Sequence, residues 1–146
     1  RLGKATELPV TTAASAAIKA MRSLGLKTVS VATPYIDEVN KIERAYIEAC
    51  GIRVNSITGL QFTRGEELHS LDQDAAREFC RAAMVDGADG LFISCTDFAS
   101  IDFIEELERD LGKPVVTSNT ATLWMVLSLI KLDQPIEGFG QLLSGG

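Results

Sequence analysis

Cys95 stands between Ser94 and Thr96, where an apolar run, Leu91-Phe92-Ile93, breaks into Ser94-Cys95-Thr96-Asp97. A helical pattern from Ser100 to Leu111 follows. A thiol placed between a strand end and a helix start is set to ionise, because helix-end N–H groups and the helix dipole stabilise a thiolate. The thiolate is a nucleophile or a base, and the thiol is an acid that can return the proton. The hydroxyls of Ser94 and Thr96 can donate hydrogen bonds to a carboxylate. Free cysteines are more often packing residues, so the weight falls on the polar neighbours and the strand-end position. Asp97 would oppose a thiolate unless it points outward or caps the helix, a task for which Ser100 is equally suited.

Two other strand ends carry the same kind of residue. Val29 to Thr33 runs into Pro34 and Tyr35, where the Thr33 and Tyr35 hydroxyls could meet a carboxylate. Val115-Val116-Thr117 runs into Ser118-Asn119-Thr120, where Asn119 is the candidate donor. The remaining reactive residues read differently. Cys50 and Cys80 lie in helical patterns and read as packing. His69, the single histidine, stands in a polar stretch and reads as solvated surface. Without a second histidine or a carboxylate cluster at a strand end, no metal site is expected. No GxGxxG or GxxxxGK[ST] occurs, so nucleotide binding is not supported.

These strand ends need elements to position them, and the chain supplies an alternation. Helical spacing covers Thr11–Leu24, Asp37–Cys50, Ser70–Met84, Ser100–Leu111 and Thr120–Leu132. Short apolar runs cover Val29–Thr33, Ile52–Ile57, Leu91–Ser94 and Val115–Thr117. In the second helix Val39, Ile42, Ala45, Tyr46 and Ala49 share one apolar face. The acidic run from Glu105 to Asp110 reads as a solvated face with Leu107 inward. Alternating strands and helices imply an α/β fold, a parallel four-stranded sheet with helices on both faces. In such sheets ligands sit outside the carboxyl ends of the strands, so the three polar strand ends should converge on one edge. The single domain spans 1–146, with a core over about 10–132 and a Gly-rich, loop-like tail over 133–146.

The totals agree. The 146 residues are 46% hydrophobic and 23% charged, with a net charge of -6, an ordinary globular composition with no basic stripe for nucleic acid. No apolar stretch reaches the ~18 residues of a membrane span. Three well-separated cysteines read as reduced thiols of a cytoplasmic protein. The apolar last helix, with Trp124 in it, suggests core or subunit interface and a homo-oligomer, a dimer being the commonest form.

Three segments together resemble one family. "SVATPYIDEVN" at 30–40, "GLFISCT" at 90–96 and "LERDLGKPVVTSNTATLW" at 107–124 are similar to the aspartate/glutamate racemase superfamily. The branch is that of maleate cis-trans isomerase, arylmalonate decarboxylase and the related proteins of ectoine utilisation. The resemblance implies two α/β halves about a pseudo-twofold axis, with a cleft between them and no metal, flavin or pyridoxal phosphate. It implies that Cys95 is the cysteine of the C-terminal half, acting as acid and base. Tyr35 then holds a substrate carboxylate, and Thr96 is the donor next to the thiol. The expected activity is cofactor-independent isomerisation of a small dicarboxylate. Decarboxylation of an arylmalonate, racemisation of an acidic amino acid, or carboxylate binding without catalysis are the alternatives. Arg1-Leu2-Gly3-Lys4 reads as the middle of a longer chain, whose N-terminal half with its own cysteine is expected but not present in this sequence.

Overall fold

The β-branched and apolar runs do form strands. The computed structural model describes residues 8–132 and 134–145. The reading of the first four residues and the outer ends of the tail therefore lie outside the described residues. The strands are β1 (Thr28–Thr33), β2 (Arg53–Gly59), β3 (Gly90–Ile93) and β4 (Val115–Thr117). They pair in parallel in the order β2-β1-β3-β4. The helices are α1 (Ala13–Ser23), α2 (Asp37–Ala49), α3 (Gly65–His69), α4 (Gln73–Ala83), α5 (Ile104–Leu111), α6 (Ser118–Leu129) and α7 (Gln141–Ser144).

Side chains alternate across a strand, and the core divides accordingly. Val29, Val31, Phe92 and Val116 face one cluster with Ala17, Ile18 and Met21 of α1, Ile47 of α2 and Ala121 of α6. Ala32, Leu91, Ile93 and Val115 face the other, with Cys80 of α4 and Ile104 and Leu107 of α5. Both sheet faces are thus covered by helices, as expected for parallel strands.

Four local features differ from the sequence reading. On α2 the buried residues are Asn40 and Ile47, whereas Val39, Ile42 and Tyr46 are 40%, 72% and 42% exposed. Asn40 is the cause. It accepts from Thr33 Oγ1 at 2.6 Å and donates from Nδ2 to the Tyr35 carbonyl at 3.3 Å. That staple turns the polar residue inward and leaves the apolar stripe to line an open cleft. Glu108 is buried rather than solvated, accepting from the backbone N–H groups of Val115 at 2.8 Å and Gln141 at 2.9 Å. The tail is not loop throughout. α7 buries Leu142 and Leu143, and Ile136 N–H donates to the Leu143 carbonyl at 2.8 Å. Finally, α6 begins at Ser118, directly after β4, because Thr117 and Thr120 cap it. Thr117 Oγ1 accepts from Thr120 N–H at 3.0 Å, and Thr120 Oγ1 from Thr117 N–H at 3.1 Å.

Candidate active site

The sheet reverses its direction of growth between β1 and β3, since β2 lies on one side of β1 while β3 and β4 lie on the other. Such a switch point opens a crevice at the carboxyl ends of the strands. β1 leads there into Thr33-Pro34-Tyr35, and β3 leads into Ser94-Cys95. Ser94 N–H donates to the Ala32 carbonyl at 2.9 Å, which keeps the two ends in step. Tyr35, Ser94, Cys95, Thr96 and Ser118 line one cleft of about 540 Å³. Its other wall is apolar, formed by Ala14, Ala17, Ile18 and Met21 of α1, Val39 and Ile42 of α2, and Phe92.

Cys95 is half-buried and has a φ of +99°. A non-glycine residue in that region stores on the order of 1–3 kcal/mol of backbone strain and persists only where its surroundings hold it. Several contacts do so. Cys95 N–H donates to Ser118 Oγ at 3.2 Å, and Phe98 N–H donates to the Cys95 carbonyl at 3.2 Å. Asn119 Nδ2 donates to the Thr96 carbonyl at 3.0 Å. The helix start that meets Cys95 therefore differs from the one anticipated. After Cys95 the chain turns, and helical backbone resumes only at Ile101. Ser100 donates to the Phe98 carbonyl and makes no side-chain cap. The helix whose first residue touches Cys95 is α6, which follows β4. Its N-terminus presents the favourable end of a helix dipole to an anion in the cleft.

Tyr35 is half-buried on the wall of the cleft. Burial, then the neighbouring Cys95 thiol and the charge of Glu43, hold its phenol far above the ordinary tyrosine value. The hydroxyl thus remains a neutral donor at physiological pH. Thr33 is fully buried and spent internally, donating to Asn40 and accepting from Tyr35 N–H at 3.2 Å. It shapes the turn that carries Tyr35 and does not line the cleft. Asn119 acts on Thr96 rather than lining the cleft itself. Thr96 is exposed at the cleft.

Two cleft residues escaped the sequence reading. Ser118 lies in the third polar strand end, where residue type alone does not separate it from its neighbour Asn119. Glu43 sits on α2 between Ile42 and Arg44, with nothing in its spacing to single it out. Its Oε1 accepts from the Ser94 hydroxyl, its Oε2 is buried, and burial raises its carboxyl above the ordinary glutamate value against the opposing pull of Ser94.

The other reactive residues stay out of the cleft. Cys80 is fully buried, its thiol pushed up to about 12 by burial. Asp97 turns outward to His69, with Oδ2 and Nε2 2.8 Å apart and both side chains largely exposed. Among the described residues, no group of three or more histidine, cysteine or carboxylate side chains is arranged to hold a metal ion. No described helix is long and apolar enough to cross a membrane.

The family model described as arylmalonate decarboxylase matches residues 1–143. An arylmalonate decarboxylase of Bordetella bronchiseptica is 34% identical over 128 residues, covering 86% of this chain and 53% of that protein. A maleate isomerase of Alcaligenes faecalis is 30% identical over 140 residues, covering 95% of this chain and 55% of that protein. Among solved structures, a maleate cis-trans isomerase of Nocardia farcinica superposes with a TM-score of 0.84 at 26% identity, over 92% of this chain and 55% of that one. That structure is a cysteine-to-serine variant carrying a covalently bound succinylcysteine intermediate. The chain thus spans about half the length of the curated relatives it matches.

Proposed function

The chain belongs to the arylmalonate decarboxylase family, and from that premise we propose that it forms the Cys95-bearing half of a cofactor-independent isomerase of a small dicarboxylate such as maleate. The single observation that carries this reading is the setting of Cys95. A thiol on strained backbone lies at the sheet's switch point, ringed by Tyr35, Ser94, Thr96 and Ser118, against the N-terminus of α6.

The chemistry follows from those groups. One substrate carboxylate rests against the Tyr35 and Thr96 hydroxyls and the α6 N-terminus. A nucleophile from the facing half adds to one alkene carbon, and the electron pair moves into the carboxylate to give an enediolate. Preorganised donors stabilise charge where it develops. Cys95 delivers its proton to the second carbon, leaving a single bond that can rotate. Cys95 then takes a proton back, the nucleophile departs, and the trans diacid forms. The succinylcysteine intermediate of the Nocardia farcinica enzyme is an adduct of this kind.

A specific observation favours a second reading. The wall made by Ala17, Ile18, Met21, Val39 and Phe92 is apolar, which suits an aryl group better than a second carboxylate. In that case the substrate is an arylmalonate, loss of CO2 leaves the enediolate, and Cys95 protonates it. The thiols further suggest a cytoplasmic enzyme, and the exposed apolar residues of α6 suggest a dimer.

The test uses the full native protein with maleate and phenylmalonate, followed by NMR. Cys95→Ala should reduce the productive reaction about 10²–10⁴-fold, the usual size of an acid–base contribution. Unchanged turnover in that variant would sink the role of Cys95. Phenylacetate from phenylmalonate, with no fumarate from maleate, would select the second reading.

A further inference from the structure

The reading above gives the cleft a dicarboxylate to hold, and the proposal made here rests on it. Among the described residues, no lysine, arginine or histidine lines the cleft. Its titratable side chains are Tyr35 from the β1–α2 turn, Glu43 and Tyr46 from α2, and Cys95 from the end of β3. α1 contributes only apolar residues to it, and α6 contributes Ser118. Arg44, the cation beside Glu43 in sequence, is turned away, donating to the Val54 carbonyl at 2.5 Å and pairing with Glu48. A dianion held by these described residues therefore relies on neutral hydroxyl donors and the α6 N-terminus, and an ionised Glu43 would compete with it.

The contest is over one proton. Glu43 Oε1 and Ser94 Oγ are hydrogen-bonded, while Glu43 Oε2 is buried with no hydrogen-bond partner among the described residues. If Glu43 is ionised, the Ser94 hydroxyl must donate to it, and Ser94 has no proton left for the cleft. If Glu43 is neutral, its proton belongs on Oε1, since the buried Oε2 has no acceptor among the described residues to donate to; that O–H then donates to Ser94 Oγ, and the Ser94 hydroxyl is free to donate elsewhere. We propose that Glu43 is a positioning residue that acts through Ser94: as a carboxylic acid it turns the Ser94 hydroxyl toward a substrate carboxylate, and as a carboxylate it withdraws that donor. An unpartnered buried oxygen is far less costly on a neutral acid than on a carboxylate, and burial moves Glu43 in the same direction. Binding of the diacid is then linked to proton uptake at Glu43.

The test measures binding of maleate and of phenylmalonate to the full native protein by calorimetry. It compares Cys95→Ala with Cys95→Ala/Glu43→Gln across a pH series from acid to mildly alkaline, because burial raises the Glu43 carboxyl above the ordinary glutamate value. The glutamine amide can donate to Ser94 at every pH. The ratio of the two dissociation constants cancels the titration of the substrate itself. The value for Cys95→Ala divided by that for the double variant should stay near one at the acid end and grow to about tenfold as rising pH takes the proton from Glu43. Adding Ser94→Ala to both proteins should flatten the ratio. Diacid binding with a ratio flat across pH, or a slope that survives Ser94→Ala, would overturn the proposal alone. No binding of either diacid by any of the proteins at any pH would overturn the dicarboxylate reading and this proposal with it.

Discussion

A Cβ on Gly59 would run into the Tyr35 carbonyl and come within 2.5 Å of Asn40 Nδ2. Gly59 ends β2, so the absence of a side chain there is what lets the Tyr35 turn lie against the sheet edge. Gly59→Ala should push that turn outward and cost about 1–3 kcal/mol, the usual range for overpacking. A lowered urea midpoint together with a raised KM would be the signature. A variant with unchanged stability and KM would show that the turn yields freely. Cysteine reactivity is also decided residue by residue. Cys80 is sealed in the core with its thiol held protonated, whereas Cys95 opens onto the cleft. Iodoacetamide near neutral pH should label Cys95 well before Cys80 in peptide mass mapping. Equal rates would mean that the site is no more accessible than the core.

Between elements, two carboxylates tie strands to what surrounds them. Glu108 of α5 holds the first N–H of β4 and the first N–H of α7. Gly140, at φ +88°, precedes α7 and lies so close to Ile104 that a side chain there would collide with it and crowd Glu108. Glu108→Ala strands two backbone donors, each costing about 1–3 kcal/mol when buried without a partner. A large loss in urea stability is expected, with faster hydrogen exchange in α7 than in β1. Asp89 accepts from Lys27 N–H at 3.0 Å and Thr28 N–H at 2.9 Å, joining the starts of β1 and β3. Those N–H groups hold its carboxyl below the usual aspartate value. Its stabilisation is fully present above the ordinary value near ~4 and is lost as pH falls through the lowered one. Asp89→Asn should therefore reduce the dependence of stability on pH in the acid range. An acid unfolding curve shaped like that of the parent protein would remove Asp89 from this role.

For the whole molecule, the question is what covers the apolar surface the fold leaves open. Leu123, Val126 and Ile130 of the α6 region are 43%, 42% and 63% exposed, while Ala121 and Met125 face the core. A dimer through this face predicts that Val126→Glu lowers the mass seen by light scattering without changing the circular dichroism spectrum. An unchanged mass would exclude the face as the interface.

The sequence by itself determined the α/β class, the four parallel strands and the convergence of the Tyr35 and Cys95 strand ends. Alternation, β-branched runs and polar strand ends are local patterns, and a parallel sheet turns them into geometry without further information. The 30–40, 90–96 and 107–124 segments likewise carried the family. What only the tertiary structure decided depends on contacts between residues far apart in the chain. Asn40 rotates α2 through Thr33 and the Tyr35 carbonyl, so the apolar stripe lines the cleft instead of the core. Glu43 meets Ser94 across 51 positions, Ser118 meets Cys95 across 23, and Glu108 meets Gln141 across 33. No local period encodes such pairings, because each depends on where the sheet brings two separate elements together.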